Sequence, residues 1–293
     1  MNKKILIPVI VILILAAGIG AYFIFQKPSP TANVPYSFFT VHLEAGTTMG
    51  TLQGFVNYYG YVGPAPEWQE TFWPSLVNFV KLADKYDVKL TLEFNPQWVE
   101  YILSDNKKLE LVKEWHTKGH EIGLHHHVLG RSDGDWDGYT NDASHTNDPL
   151  YRGTMDDMMR LYNRLGEAIN DKVLTGGTGG FLPDFPKGII YETKGIDISE
   201  ARSKPEKVYG GKVTRIGYAW LQPRLPNSLS QFKEEFNKAQ LGEIFGVATH
   251  EYDFYKNPGV IEEWFKFLKE KGIKIDTARK VIQNYPAPYS LSL

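Results

Sequence analysis

The sequence predicts a (β/α) barrel, because segments with strand and helix patterns alternate along most of the chain and short connections join them. Roughly 250 residues follow the N-terminal segment, which is the usual size of such a barrel. Neither an internal repeat nor a low-complexity tract divides residues 36–293, so one domain accounts for them. We expect a distorted α/β barrel of seven or eight parallel strands, whose functional residues lie at the C-terminal strand ends.

Strand and helix signals alternate regularly in the first half of the domain. The predicted elements are strands over residues 36–43, 89–94 and 121–127 and helices over 74–85, 95–103 and 106–118. Pro74 suits the first turn of its helix, Asn95 caps the next one, and Gly119 ends the third.

The second half opens with the longest polar loop, over residues 129–150. The later elements are strands over residues 174–181, 212–220, 243–249 and 273–276 and helices over 154–168, 230–239 and 257–272. Thr154 and Asp157 resemble a capping box, and Thr277 caps a final short helix.

The composition excludes several classes of function. The chain has 293 residues, with 32 Lys and Arg against 34 Asp and Glu, so its formal net charge is −2. That near balance argues against a nucleic-acid partner, which requires a basic surface to neutralise phosphates. The absence of cysteine excludes disulfides, thiolate zinc sites and cysteine nucleophiles. A metal site in this chain therefore has to use histidine and carboxylate ligands.

The N-terminus predicts an extracytoplasmic location. Residues 1–4 include Lys3 and Lys4 and precede an uncharged apolar run over residues 5–25. At about 1.5 Å per residue this run is long enough, as a helix, to cross the bilayer core. A single-pass membrane anchor and a cleaved signal peptide of a secreted protein are the two interpretations, and both place the domain outside the cytoplasm. The proline-rich residues 26–35 follow as a stiff linker.

Two strand ends indicate a metal site. His42 and Glu44 lie two residues apart, so their side chains share a face of the first strand. His125 and His127 share a face in the same way, while His126 points to the other side. Imidazole and carboxylate groups at this spacing suit zinc, and we predict that these two pairs bind one divalent ion. The alternatives are a polar strand end that bonds to loops and a surface histidine tract.

A third strand end places His250 after an apolar run, where it is a candidate ligand, general acid or packed core histidine.

In the long loop, Asp133, Asp135 and Asp137 match the first half of a calcium-binding loop, although position twelve is Ser144. A solvated acidic loop is the alternative. Aromatic residues at the loop and at strand ends suit either sugar stacking or simple packing: Trp136, Trp220 and Tyr252.

These motifs together resemble the polysaccharide deacetylase (NodB-homology) family over roughly residues 36–282. The Gly-His-Glu-Ile-Gly segment that leads to His125 is similar to the strand that delivers a metal-binding histidine in that family. Residues 246–250 resemble its closing Leu-x-His strand, and residues 42–46 occupy the place of its Thr-Phe-Asp-Asp-Gly motif. The resemblance implies metal-dependent removal of acyl groups from a polysaccharide, with His250 as the general acid.

The chain also departs from the family pattern. His42 and Glu44 replace the paired aspartates, and Leu129 stands where the second metal-binding histidine is expected, which leaves His127 as the substitute. Residues 181–183 (Phe-Leu-Pro) lack the arginine of the family's Arg-x-Pro motif. The pair of His42 and Glu44 is instead similar to the His-x-Asp zinc pair of retaining alpha-mannosidases, which belong to the wider glycoside hydrolase/deacetylase barrel superfamily.

The role of Glu44 stays open between ligand and general base. If His42, His125 and His127 complete the ligand set, Glu44 is free to act as the base; otherwise it ligates. The reserve bases are Glu121, Glu251 and Asp253.

We therefore expect a monomeric metal-dependent hydrolase that removes acetyl or other acyl groups from a polysaccharide or oligosaccharide. The expected cofactor is a divalent metal, zinc first and calcium as a second ion. The expected partners are that substrate and, through the N-terminal helix, a membrane. A glycosidase on the same barrel, a catalytically inactive carbohydrate- or metal-binding relic, and a tethered metal-binding protein are the alternatives.

Overall fold

The computed structural model describes residues 36–48, 53–60, 62–129, 135–178, 184–240 and 242–285. The predicted anchor and linker lie outside these ranges, and so do Asp133 and residues 181–183. Within the described ranges no helix combines the length and the apolar character needed to cross a membrane.

Parallel strands form a closed barrel. The strands in the described residues are β1 (Tyr36–Leu43), β2 (Leu90–Phe94), β3 (Glu121–His125), β4 (Thr175–Gly177), β5 (Tyr191–Gly195), β6 (Arg202–Ser203), β7 (Glu206–Val208), β8 (Val213–Trp220), β9 (Ile244–His250) and β10 (Ile275–Asp276). The seven barrel strands are β1 to β5, β8 and β9, and the pairing of β9 with β1 closes the ring. The prediction of a seven- or eight-stranded barrel is therefore confirmed with seven strands.

The three remaining strands extend the barrel sheet. β6 pairs antiparallel with β9, β7 pairs antiparallel with β8, and β10 pairs parallel with β1. Three of the strands, β5, β6 and β7, were not predicted from the sequence. Their sequences lack an apolar run because much of their surface is exposed, and in β5 the buried side chains are the polar Glu192 and Thr193.

Helices surround the barrel. They are α1 (Gln53–Tyr59), α2 (Glu67–Lys85), α3 (Pro96–Leu103), α4 (Asn106–Thr117), α5 (Met155–Ile169), α6 (Ser228–Asn237), α7 (Glu251–Lys256), α8 (Pro258–Glu270) and α9 (Ala278–Asn284). The predicted capping box at Thr154 and Asp157 is present, and Asn95 and Thr277 cap α3 and α9 through their side chains.

The start of α2 corrects the predicted helix boundary. The helix begins at Glu67 rather than at Pro74, which lies inside it. A proline inside a helix removes one backbone hydrogen bond. The preceding turns bury Trp68 and Phe72 against Tyr252, with ring centroids 5.9 and 6.4 Å apart, and this burial offsets the loss.

The alternation of side chains along β1 separates two apolar layers. Phe38 points into the barrel and belongs to a buried cluster with Ile216 and Ala248, which α9 covers at the N-terminal end. Phe39 points outward and packs against Phe79 of α2 and Phe265 of α8, with ring centroids 6.0 and 5.1 Å apart. The same alternation turns the inward side chains at the C-terminal strand ends toward one another.

Gly246 is a position where barrel packing requires glycine. A Cβ atom there would lie 2.2 Å from the carbonyl oxygen of Gly217 and 2.6 Å from the ring of Phe38.

We expect Gly246→Ala to lower the free energy of unfolding by at least about 1–3 kcal/mol, because the clash involves backbone. Denaturant unfolding measures this change. Gly259→Ala in α8 is the matched control, since nothing lies within 4 Å of its Cβ position. Equal stability of both variants would contradict this packing.

Candidate metal centre

Three strand ends bring the predicted metal-site residues together. Parallel register places His42 of β1 opposite His250 of β9, and Glu44 follows directly after β1. β3 ends at His125, two residues earlier than predicted, and His127 lies just beyond the strand. These five side chains meet at the C-terminal mouth of the barrel, where functional groups of such barrels are expected.

Glu44 lies at the centre of this group and is only 3% exposed. Its Oε2 atom is 2.7 Å from His127 Nε2 and 3.7 Å from His125 Nε2, and its Oε1 atom is 3.1 Å from His250 Nε2. Burial alone would raise the pKa of Glu44. The charges and hydrogen bonds of His127 and His125 outweigh burial and hold that pKa well below its usual value, so the carboxyl is ionised.

The rings of His125 and His127 direct the same nitrogen atom toward Glu44. Nδ1 of His125 lies 3.2 Å from the carbonyl oxygen of Gly177, and Nδ1 of His127 lies 2.8 Å from that of Asp135. Carbonyl oxygens only accept, so we assign the ring protons to Nδ1. The two Nε2 atoms are then 2.8 Å apart, and both lie near Glu44 Oε2. With a metal bound, both Nε2 atoms would present their lone pairs to the ion.

His42 completes the group from the first strand. Burial, followed by the charges of His125 and His250, holds the pKa of His42 well below its usual value, so the imidazole is neutral as a ligand must be. Both of its ring nitrogens are buried, and neither has a hydrogen-bond partner. His42, Glu44 and His125 each offer a ligand atom, and these atoms lie within 4.8 Å of one another. A second, overlapping group of this kind consists of Glu44, His127 and Asp135. The described residues therefore include a buried cluster that could bind a metal ion.

The acidic loop supports the histidine segment. His126 points away from the cluster, and its Nδ1 lies 2.7 Å from Asp137 Oδ2, which also accepts the backbone N–H of His127 at 2.9 Å. Asp135 accepts the backbone N–H groups of Gly46 and Thr48 at 3.3 and 3.0 Å. Both carboxylates therefore bond to the ends of β1 and β3. The calcium interpretation stays a prediction, and Asp133 lies outside the described residues.

His250 is held between two aromatic rings. Trp220 stacks on one face at 4.3 Å and Tyr252 on the other at 4.6 Å. Its Nδ1 atom lies 3.3 Å from Asp253 Oδ2, which directs Nε2 toward Glu44. Burial lowers the pKa of His250, but the hydrogen bonds and charges of Asp253 and Glu44 outweigh burial and raise that pKa to about 9. His250 is therefore protonated and held in place, as a general acid must be.

The reserve carboxylates divide between the two ends of the barrel. Glu121 lies at the opposite end, where it accepts hydrogen bonds from Thr91 at 3.0 Å and Arg279 at 2.9 Å, so the structure separates it from the cluster. Glu251 lies beside the site and accepts the indole N–H of Trp68 at 2.8 Å and the backbone N–H of Glu44 at 3.2 Å. Burial, followed by the charge of Glu44, raises the pKa of Glu251 to about 8.

Two cavities open onto the cluster. The larger, of about 530 Å³, touches Glu44 and His250. Its other walls are mainly aromatic and consist of Phe55, Tyr58, Tyr59, Trp220 and Tyr252. Gln222 and Arg224 add polar side chains to the lining. The smaller, of about 240 Å³, touches all four predicted metal ligands. Trp220 and Tyr252 therefore line this cleft. Trp136 is 4% exposed, donates to the carbonyl oxygen of Tyr139 and lines neither cavity.

Three residues near the site, Glu93, Gly177 and Thr193, were not predicted from the sequence. Glu93 is fully buried, and its Oε2 atom lies 3.0 Å from His42 Nε2. Glu93 is a single acidic residue in the otherwise apolar end of β2. It has no second ligand-type residue two positions away in β2, so it did not match the paired pattern that indicated the other site residues. Gly177 and Thr193 carried no local signal, because their importance depends on contacts between strands that are distant in sequence.

The fold is shared with several solved structures. A protein from Mycobacterium smegmatis that is classed as a polysaccharide deacetylase superposes with a TM-score of 0.57 at 13% identity, over 90% of this chain and 96% of that one. The chain has the fold of the polysaccharide deacetylases. An allantoinase superposes with a TM-score of 0.59 at 13% identity, over 88% of this chain and 94% of that one. No sequence-family profile matches, and a search of curated proteins found no significant match.

The same barrel also occurs in an enzyme that acts on sugars in another way. The 4-alpha-glucanotransferase from Thermococcus litoralis superposes with a TM-score of 0.55 at 11% identity, over 86% of this chain and 41% of that one. At such identities the likeness concerns the fold alone. The chemistry of this chain has to be argued from its own side chains.

We expect the full-length protein to bind one divalent ion per chain, and His125→Ala to abolish this binding, because His125 Nε2 faces both Glu44 and His127. Elemental analysis after equilibration with limiting zinc measures the stoichiometry. His116→Ala is the matched control, since His116 lies on α4 away from the cluster. Equal zinc content in the His125 variant and the wild type would contradict the assignment.

Proposed function

We propose that this chain is a metal-dependent hydrolase that removes acyl groups, acetyl first, from a polysaccharide. One observation carries the proposal: a buried carboxylate among three histidines lies 3.1 Å from a fourth, protonated histidine, beside an aromatic-walled cavity. The fold shared with polysaccharide deacetylases supports the same reaction class.

The donor set suits zinc. Three imidazole ligands with an open position for water are typical of catalytic zinc sites, and His42, His125 and His127 would supply such a set, with Glu44 beside them. A bound zinc ion supplies two things to hydrolysis, a lowered pKa of water and polarisation of the acyl oxygen. The contacts of His125 and His127 with backbone carbonyls fix the nitrogen atoms that face the ion.

Glu44 and His250 handle the protons of the reaction. Glu44 Oε2 faces His125 and His127, and its Oε1 atom is the one that would accept the proton of the attacking water. As water adds to the acyl carbon and the bond to nitrogen or oxygen breaks, His250 Nε2 donates its proton to the departing sugar atom. The 3.1 Å contact then lets the proton pass from Glu44 to His250, which restores both groups.

The neighbouring groups keep His250 in this role. Asp253 contacts its Nδ1 and is itself fixed by the hydroxyl of Tyr59, which donates a hydrogen bond of 2.5 Å. The stacked rings of Trp220 and Tyr252 prevent rotation of the imidazole. Sugar rings of the substrate then lie along the exposed edges of the aromatic wall, where Tyr58 is 36% exposed.

A glycosidase is the second candidate. The observation in its favour is the His42 and Glu44 pair, which stands where the deacetylase pattern has aspartates. Full-length zinc-loaded protein, incubated with acetylated chitooligosaccharides, distinguishes the reactions. We expect release of acetate, dependent on zinc and absent after chelation. New reducing ends would instead indicate the glycosidase, and binding without either product would indicate an inactive relic.

In the same assay, His250→Ala should lower kcat by about 10²–10⁴-fold with little change in KM, because the proton is needed only as the leaving group departs. Its zinc content should stay at the wild-type level, since His250 has no ligand role here. Loss of zinc in this variant would make His250 a ligand, and an unchanged kcat would make it a packing residue.

We also propose that the domain acts outside the cytoplasm while residues 5–25 hold the chain in the membrane. The uncharged apolar run behind Lys3 and Lys4 supports this location. After cell fractionation we expect the full-length chain in the membrane fraction, with the domain accessible to protease added to intact cells. Recovery of the intact chain in the cytosolic fraction would overturn the proposal, whereas a shortened secreted chain would indicate a cleaved signal peptide.

A further inference from the structure

We propose that Glu93 is a positioning residue that holds His42 as a metal ligand, with His42 Nδ1 directed at the ion. The inference rests on the proposed function only in requiring a metal ion at the cluster. It concerns which atom of His42 ligates and what fixes that choice.

The register of the barrel places the two side chains side by side. His42 and Glu93 are partners in the pairing of β1 with β2, and both side chains point into the barrel. Glu93 Oε2 lies 3.0 Å from His42 Nε2, although neither ring nitrogen of His42 has a partner that meets hydrogen-bond geometry. Because the carboxyl group occupies the Nε2 side of the ring, Nδ1 is the nitrogen that remains for a ligand.

The surrounding strands form a compartment that is shaped for this carboxyl group. Thr193 of β5 donates a hydrogen bond of 2.7 Å to Glu93 Oε1. A Cβ atom at Gly177 would lie 2.6 Å from Glu93 Oε2, and one at Gly123 would lie 2.9 Å from Glu93 Cγ. Any side chain at position 123 or 177 would therefore displace Glu93, and both positions are glycine.

The ring of His42 is held from its other sides as well. The His125 ring lies 4.1 Å away, and Trp220 and Tyr218 present their rings at 4.8 and 5.2 Å. Packing thus limits tilting of the ring, and Glu93 selects which nitrogen faces the cluster. Partners behind a ligating histidine fix its tautomer and orientation, and their loss typically costs about 10–100-fold in metal affinity.

The rival interpretation is a buried carboxyl group that only bonds to Thr193. Glu93→Gln separates the two roles, because glutamine keeps the shape and still offers Oε1 to Thr193. Its amide nitrogen would face His42 Nε2, and an N–H group cannot accept a proton from Nε2. The variant therefore favours a proton on Nδ1, which prevents that atom from ligating.

We expect Glu93→Gln to weaken zinc binding by about 10–100-fold in the full-length protein, measured by competition with a chromophoric chelator. Glu121→Gln is the matched control, since Glu121 is also a buried carboxyl inside the barrel but lies at its opposite end. The control should keep the wild-type affinity. Wild-type affinity in a folded Glu93→Gln variant would overturn the inference, whereas a wild type that binds no zinc would overturn the proposed function first.

A second measurement needs no variant and holds even if Glu93→Gln fails to fold. Long-range ¹H–¹⁵N spectra of the zinc-loaded wild type report the state of each imidazole nitrogen. We expect His42 to carry its proton on Nε2 and the metal on Nδ1. A metal-bound Nε2, or a proton on Nδ1, would overturn the assignment.

Discussion

The pairing of β1 with β9 is the contact on which the site depends. It runs from Tyr36 opposite Ile244 to His42 opposite His250, and it closes the barrel. Without it the sheet would have two free edges, and Glu44 would have no fixed relation to His250. Closure also explains the burial of the cluster, because a ring of seven strands with side chains of this size leaves little space for water between facing residues.

Burial of so many ionisable groups requires compensation, and each carboxyl group in the barrel has a specific form of it. Glu121 at one end bonds to Arg279, Glu93 in the middle bonds to Thr193, and Glu44 at the mouth faces three histidines. A buried charge without partners would cost several kcal/mol. The geometry of this column is therefore a condition of folding as well as of chemistry, because each of these carboxyl groups depends on a partner from a distant part of the chain.

The sequence revealed those parts of the site that follow from local periodicity. The two-residue spacing of His42 with Glu44, and of His125 with His127, was sufficient to place these side chains on common faces. Contacts between distant strands were not accessible in this way, which is why Glu93 escaped notice. For Trp136 the sequence left sugar stacking and simple packing open, and the structure shows its indole donating to the carbonyl oxygen of Tyr139 within the same loop. The early start of α2 depended on tertiary burial that overrides the local preference of proline.

The wide separation of the cluster along the chain has a consequence for how the protein acquires its metal. Glu44 and Glu251, which are joined by a hydrogen bond, are 207 residues apart, so the mouth of the barrel forms only when the first and last barrel strands meet. Closing so long a loop is slow compared with forming local turns. Before that event the proposed ligands are neighbours only in pairs, His42 with Glu44 and His125 with His127, and two side chains hold zinc weakly. The complete site is therefore a late product of folding, and a bound ion stabilises the closed barrel over any open intermediate.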